Sequence, residues 1–121
     1  MTQAQLRQTI EEMAHMPGVD GCALVEIGTG MVWHHAGGFD DVELFAEAAS
    51  DYWRLYTRLS PHFESMGKLR ASIMVHKKGR LTLLPCSDGM LLLALTGPKA
   101  QLDWMQWQKK VQILASLVEA F

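Results

Sequence analysis

Residues 39–61 read Phe39-Asp40-Asp41-Val42-Glu43-Leu44-Phe45-Ala46-Glu47-Ala48-Ala49-Ser50-Asp51-Tyr52-Trp53-Arg54-Leu55-Tyr56-Thr57-Arg58-Leu59-Ser60-Pro61. Asp40 can cap a helix, and Glu43 stands three residues on, as in a capping box. Phe39 and Leu44 occupy the positions of a hydrophobic staple. Pro61 cannot continue a helix, so the predicted end is Leu59 or Ser60. At roughly 100° per residue, Val42, Leu44, Phe45, Ala48, Ala49, Tyr52, Trp53, Leu55, Tyr56 and Leu59 fall on one half of the wheel. Glu43, Glu47, Ser50, Asp51, Arg54, Thr57 and Arg58 fall on the other. A surface helix needs an apolar stripe of only about 100°, and this arc is nearly twice as wide. The excess is read as two burials in preference to one deeply embedded core helix. Leu44, Ala48, Leu55 and Leu59 are assigned to the chain's own core. Phe45, Ala49, Trp53 and Tyr56 are assigned to a second copy. On that assignment Trp53→Asp should weaken assembly and Leu55→Asp should damage the fold.

The flanking sequence supplies a sheet. An amphipathic first helix carries Leu6, Ile10 and Met13 on one stripe, with Thr2 and Gln5 as a capping box and Met1 and Leu6 as its staple. Pro17-Gly18 stops it. A strand is read over 21–27, where Cys22, Ala23, Leu24 and Val25 are apolar without alternation, the pattern of a strand covered on both faces. Gly28-Thr29-Gly30 turns the chain into a strand over 31–36. Beyond Pro61, residues 69–76 alternate, with Leu69, Ala71, Ile73 and Val75 opposite Arg70, Ser72, Met74 and His76, as in an edge strand. Residues 81–84 and 90–95 make two more strands, and Pro85 should break or bulge the ladder. Gly97-Pro98 suits the start of a last helix burying Trp104, Trp107, Val111, Leu114, Val118 and Phe121. The expected fold is α+β, in the order α-β-β-α-β-β-β-α. Its three α/β/α layers hold a five-stranded antiparallel sheet between the long helix and the two terminal helices.

Composition narrows the function. One domain over 1–121 is expected at this length. The formal net charge of −2 gives no footprint for nucleic acid or anionic membrane. No apolar run is long enough to span a bilayer, and no secretory leader is read at the N-terminus, so a cytoplasmic location is expected. Cys22 and Cys86 have no paired spacing, so neither a disulfide framework nor a zinc site is expected. His34 and His35 are neighbours on a strand and point to opposite faces, so they cannot ligate one metal together, and His76 offers no ligand spacing. Cys22 reads as a small buried hydrophobe. Cys86, beside Pro85 and a turn, reads as the more exposed thiol. The glycines at 28 and 30 do not open a helix, so no phosphate loop is present. Lys77, Lys78 and Arg80 read as a solvated hairpin tip. No cofactor is expected.

In that order of elements the chain resembles the roadblock/dynein light-chain family, its bacterial branch in particular. The resemblance rests on Leu6 and Ile10, on Met16-Pro17-Gly18-Val19-Asp20-Gly21-Cys22-Ala23-Leu24-Val25 and on Gly28-Thr29-Gly30-Met31. It continues through Leu44-Phe45-Ala46-Glu47-Ala48-Ala49, Gly79-Arg80-Leu81 and Gly89-Met90-Leu91-Leu92-Leu93. It implies a non-enzymatic scaffold that pairs with itself or a relative through the long helix and the following edge strand. Many members bind and regulate small Ras-like GTPases. Carried to this chain, the dimer elements are residues 42–59 and 69–76, and the expected contacts are Val42, Phe45, Ala49, Tyr52, Trp53, Tyr56, Arg70, Ser72 and Met74. The resemblance supplies no catalytic residue. Three readings follow: a homodimeric module for a small GTPase; a dimeric small-molecule sensor or scaffold subunit without a GTPase partner; and a redox protein using Cys86 and a histidine.

Overall fold

A computed structural model describes residues 2–120 of the chain. Its elements are α1 (Thr2–Ala14), β1 (Val19–Glu26), β2 (Val32–Gly37), α2 (Val42–Leu59), a 3₁₀ segment (Ser60–Met66), β3 (Ser72–His76), β4 (Gly79–Pro85), β5 (Met90–Thr96) and α3 (Trp104–Glu119). The five strands form one antiparallel sheet in the order β2-β1-β5-β4-β3. The fold is therefore the expected α+β arrangement. The two strands that are apolar throughout lie side by side at its centre, with Ala23 opposite Leu93 and Leu24 opposite Leu92. Strand β3 is an edge.

Alternation along the strands divides the core in two. Cys22, Leu24, Leu84, Leu92 and Ala94 point to one face, where they meet Leu6, Ile10 and Met13 of α1 and Trp107, Val111, Leu114 and Val118 of α3. Ala23, Val25, Leu81, Leu83, Leu91 and Leu93 point to the other, where they meet Ala46 and Ala49 of α2. The Lys110 ammonium donates to Glu12 at 2.7 Å, joining α3 to α1 across the outer layer. That hydrogen bond and charge hold the Glu12 carboxyl below its ordinary pKa.

Several boundaries differ from the sequence reading. Asp41, not Asp40, caps α2, its carboxylate accepting from the Leu44 N–H at 3.2 Å. The staple shifts with it: Phe39 packs edge-on against Phe45, ring centroids 5.6 Å apart, and Leu44 is left outside. Pro61 does end α2 at Leu59, but the chain then makes a 3₁₀ segment, and β3 starts only at Ser72. Pro85 ends β4 without disturbing the register, since it still faces Leu91. The last helix starts at Trp104, capped by Asp103, and not at Gly97-Pro98. Trp104 is consequently 41% exposed, outside the predicted core stripe. Met1, Phe121 and the Thr2 side chain, invoked for the first cap and the last core contact, lie outside the described residues. Gly37 is dictated by space: at φ +96°, a Cβ there would come 2.4 Å from the Asp20 carbonyl oxygen.

Moving the cap by one residue gives a direct test. Asp41→Ala should cost about 1 kcal/mol of unfolding free energy, whereas Asp40→Ala should lie within about 0.5 kcal/mol of wild type in the same urea titration.

Candidate interaction surface on the long helix and edge strand

Helix α2 sits on the sheet through its smallest side chains. Ala46, Ala49 and Ser50 are fully buried. Val42, Phe45 and Trp53 are partly buried and pack against the same core. This reverses the assignment of the two arcs. Of the nine expected interface residues, Val42, Phe45, Ala49, Trp53 and Met74 pack in or against the chain's own core. Tyr56 is half-buried and stacks on Phe63, centroids 5.6 Å apart. Arg70 lies outside β3, and Ser72 opens that strand. Tyr52 alone of the helical set projects outward, 57% exposed.

The residues assigned to the core are the ones left uncovered. Leu44 is 63% exposed, Leu55 42% and Leu59 44%. With exposed Ala48 and Tyr52 they fall at positions 44, 48, 52, 55 and 59, a seam spaced like the apolar stripe of a paired helix. The signal in the sequence was the run of small residues at 46, 49 and 50. Small side chains let a helix axis approach a sheet closely, while leucines on the far side are free for another partner.

The seam borders an open groove of about 210 Å³ between α2 and the β3 side of the sheet, and of the expected interface residues Tyr52, Trp53, Tyr56 and Ser72 line it, with Leu55, Leu59, Leu69 and Leu83. On its opposite flank α2 carries Glu43, Glu47, Asp51 and Arg54 beside the β1–β2 turn. Arg54 binds Asp51 and donates to the carbonyls of Ile27 and Gly28, the latter at 3.2 Å, so it pins that turn to the helix.

The groups considered for chemistry are structural. Cys22 and Cys86 are both fully buried, which corrects the expectation that Cys86 is exposed. Burial pushes each thiol pKa up to about 12, with the Glu119 charge adding to the effect at Cys86. The Cys22 thiol donates to the Ile10 carbonyl at 3.2 Å. His34 and His35 stand opposite Leu24 and Ala23 and so point to opposite faces. Burial, and then the Arg7 charge, lower the His34 pKa. Among the described residues no group of three or more His, Cys, Asp or Glu is placed to hold a metal. Arg80 is not a free hairpin-tip charge. It donates to the carbonyls of Gly97 at 3.2 Å and Ala100 at 2.8 Å, tying down the loop before α3. No helix is long and apolar enough to cross a membrane among the described residues.

The Roadblock/LC7 domain family model matches residues 6–96. Among solved structures, the chain is similar to the gliding protein MglB of Thermus thermophilus, at 12% identity and a TM-score of 0.85, covering 99% of this chain and 93% of that one. It is similar to Myxococcus xanthus MglB at 13% identity and a TM-score of 0.84, covering 98% and 90%. It is also similar to a roadblock/LC7 domain from Streptomyces avermitilis at 19% identity and a TM-score of 0.77, covering 94% of each chain. At these identities the likeness establishes the fold alone. No curated protein matches the sequence.

Two tests follow from the geometry. Trp53→Asp places an unpaired charge against the core and should cost ~3 kcal/mol or more in urea unfolding, whereas Leu55→Asp should leave the circular dichroism spectrum intact. Both thiols should resist a soluble disulfide reagent in the native protein and react on unfolding. Because their pKa values are raised by folding, the stability they contribute is full below about pH 9 and should be lost as pH rises from 9 towards 12.

Proposed function

The chain belongs to the Roadblock/LC7 domain family, and from that premise we propose that residues 1–121 act as a non-enzymatic, homodimeric module that binds or regulates a small Ras-like GTPase. The observation that carries the dimer is the uncovered apolar seam of α2 lying on the same side as the unpaired edge of β3. A two-fold axis beside β3 sets seam against seam and edge against edge, which is the self-complementary geometry an isologous interface needs. One operation then removes exposed leucines from water and gives the free backbone groups of β3 partners. The interface residues in this reading are Leu44, Ala48, Tyr52, Leu55 and Leu59, with β3. They replace the core-facing residues expected from sequence.

The GTPase rests on family membership. The module's own side chains argue for binding over turnover: both cysteines are protonated and buried, and the histidines face apart. The small-molecule sensor is less favoured, because fully buried Leu6, Ile10, Met13, Trp107 and Leu114 fill the space between the sheet and the terminal helices.

Wild type should sediment as a dimer at micromolar concentration, with at least about 1,000 Å² buried in total. The double variant Tyr52→Asp, Leu55→Asp should raise the dimer dissociation constant roughly tenfold or more, about 1.4 kcal/mol, with an unchanged fold. A small GTPase recovered from the native cytoplasm should show a changed rate of nucleotide exchange or hydrolysis when the dimer is added. A monomeric wild type removes the dimer, and unaltered rates remove the regulatory role.

A further inference from the structure

We infer that the open face of the sheet at β3, on the side of α1 and α3, docks an acidic amphipathic helix of a partner protein. The inference rests on the proposed dimer for one point, the occupation of the β3 edge.

Register decides which face is open. Ile73 stands opposite Thr82 and Val75 opposite Arg80, so both point to the face that carries Leu84 and the terminal helices. Those helices cover the centre of that face and stop short of β3. Ile73 is left 53% exposed and Val75 74%. Just before the start of β3, an open groove of about 340 Å³ lies between residues 68–71 and the flank of α3. Leu84 and Val111 lie along it, Gln108 and Gln112 line its α3 wall, and Lys68 and Arg70 line its opposite side.

Charge then selects the partner. Residues 66–86 contain Lys68, Arg70, Lys77, Lys78 and Arg80 and no Asp or Glu, in a chain whose net charge is −2. Arg80 is engaged by backbone carbonyls. The other four are exposed, and among the described residues none of them forms an ion pair. The acids cluster elsewhere: Asp40, Asp41, Glu43, Glu47 and Asp51 lie at the start of α2 and along its opposite flank. An apolar floor whose charged lining residues are both cations, Lys68 and Arg70, fits a segment that is apolar on one side and acidic on the other.

The segment's form follows from what is already used. With the β3 edge paired to a second copy, an incoming segment cannot add as a strand. It must lie on the face, and the layer that covers an apolar sheet face is a helix. Branched aliphatic side chains on this floor offer no stacking platform for bases, so the cations do not mark a nucleic-acid track.

The test uses two synthetic helices of about 18 residues, or five turns, with the same leucine face and either Glu or Lys on the other. Fluorescence anisotropy with the full chain should show the Glu peptide bound and the Lys peptide weaker by roughly tenfold or more. Added salt should weaken the Glu peptide. Lys68→Glu with Arg70→Glu, and separately Val75→Asp, should each weaken it by roughly tenfold, while Glu47→Lys on the far flank should not. The first pair is solvent-exposed and keeps the test decisive if Val75→Asp fails to fold. Equal affinity for both peptides, an equal loss with Glu47→Lys, or tighter binding of a single-stranded oligonucleotide overturns the assignment. Sedimentation of the same samples separates the two ideas. A monomer with the expected peptide pattern overturns the dimer and leaves this surface. A dimer without peptide discrimination overturns this surface alone.

Discussion

The pairing of β1 with β5 is the constraint on which the rest of the structure depends. Cys22 faces Ala94, Ala23 faces Leu93, Leu24 faces Leu92 and Val25 faces Leu91. Every one of these eight side chains is fully buried. A two-stranded ribbon that is apolar on both faces cannot stand in water, so helices must cover both sides. The terminal helices cover one face and α2 the other. The remaining strands extend the ribbon outward, and burial falls away with distance from it. Strand β5 is buried almost throughout, whereas β3 has no buried residue.

That gradient explains what was legible in the sequence. The two unbroken apolar runs, 22–25 and 90–95, identify the central strands, because a strand buried on both faces lacks alternation. Alternation over 69–76 identifies an edge for the converse reason. Helix stops at Pro17-Gly18 and Pro61 depend on local sterics and hold within a residue or two. Helix starts were less legible. Asp40 and Asp41 are adjacent and equally suited to cap, and only the packing of Phe39 on Phe45 and over Gly21 decides between them.

The orientation of α2 was not legible from amphipathicity. Periodicity reports how wide the apolar arc is, and says nothing about which half meets the sheet. The width of the arc alone is compatible with leucines inward and aromatics outward, or with the reverse. The structure adopts the reverse because contact distance governs the choice. Ala46, Ala49 and Ser50 let the helix sit close to the sheet, and the partly buried Val42, Phe45 and Trp53 pack against the same core. Ser50 belonged to the polar half by residue type. It is buried because Gly30 of the β1–β2 turn approaches the helix there, within 3.9 Å of the Ser50 hydroxyl when measured from the position a Cβ would take.

The inversion changes the energetics of the subunit. With Phe45 and Trp53 packed on the sheet, α2 offers outside the seam of Leu44, Ala48, Tyr52, Leu55 and Leu59, and that seam lies beside a strand whose edge is unpaired. Proteins usually blunt such an edge with charge, a bulge or a short strand. Here β3 is five residues long and ends at Lys77-Lys78, which limits open-ended association without covering Ile73 or Val75. A closed two-fold pairing resolves the seam and the edge together, and each would otherwise remain a route to aggregation. It follows that, in a dimeric protein of this design, the stability of α2 and β3 is set partly by subunit concentration, while the β1–β5 ribbon and its two buried cores belong to the single subunit. Unfolding should therefore be most concentration-dependent in amides of β3 and the C-terminal half of α2, and least in those of β1 and β5.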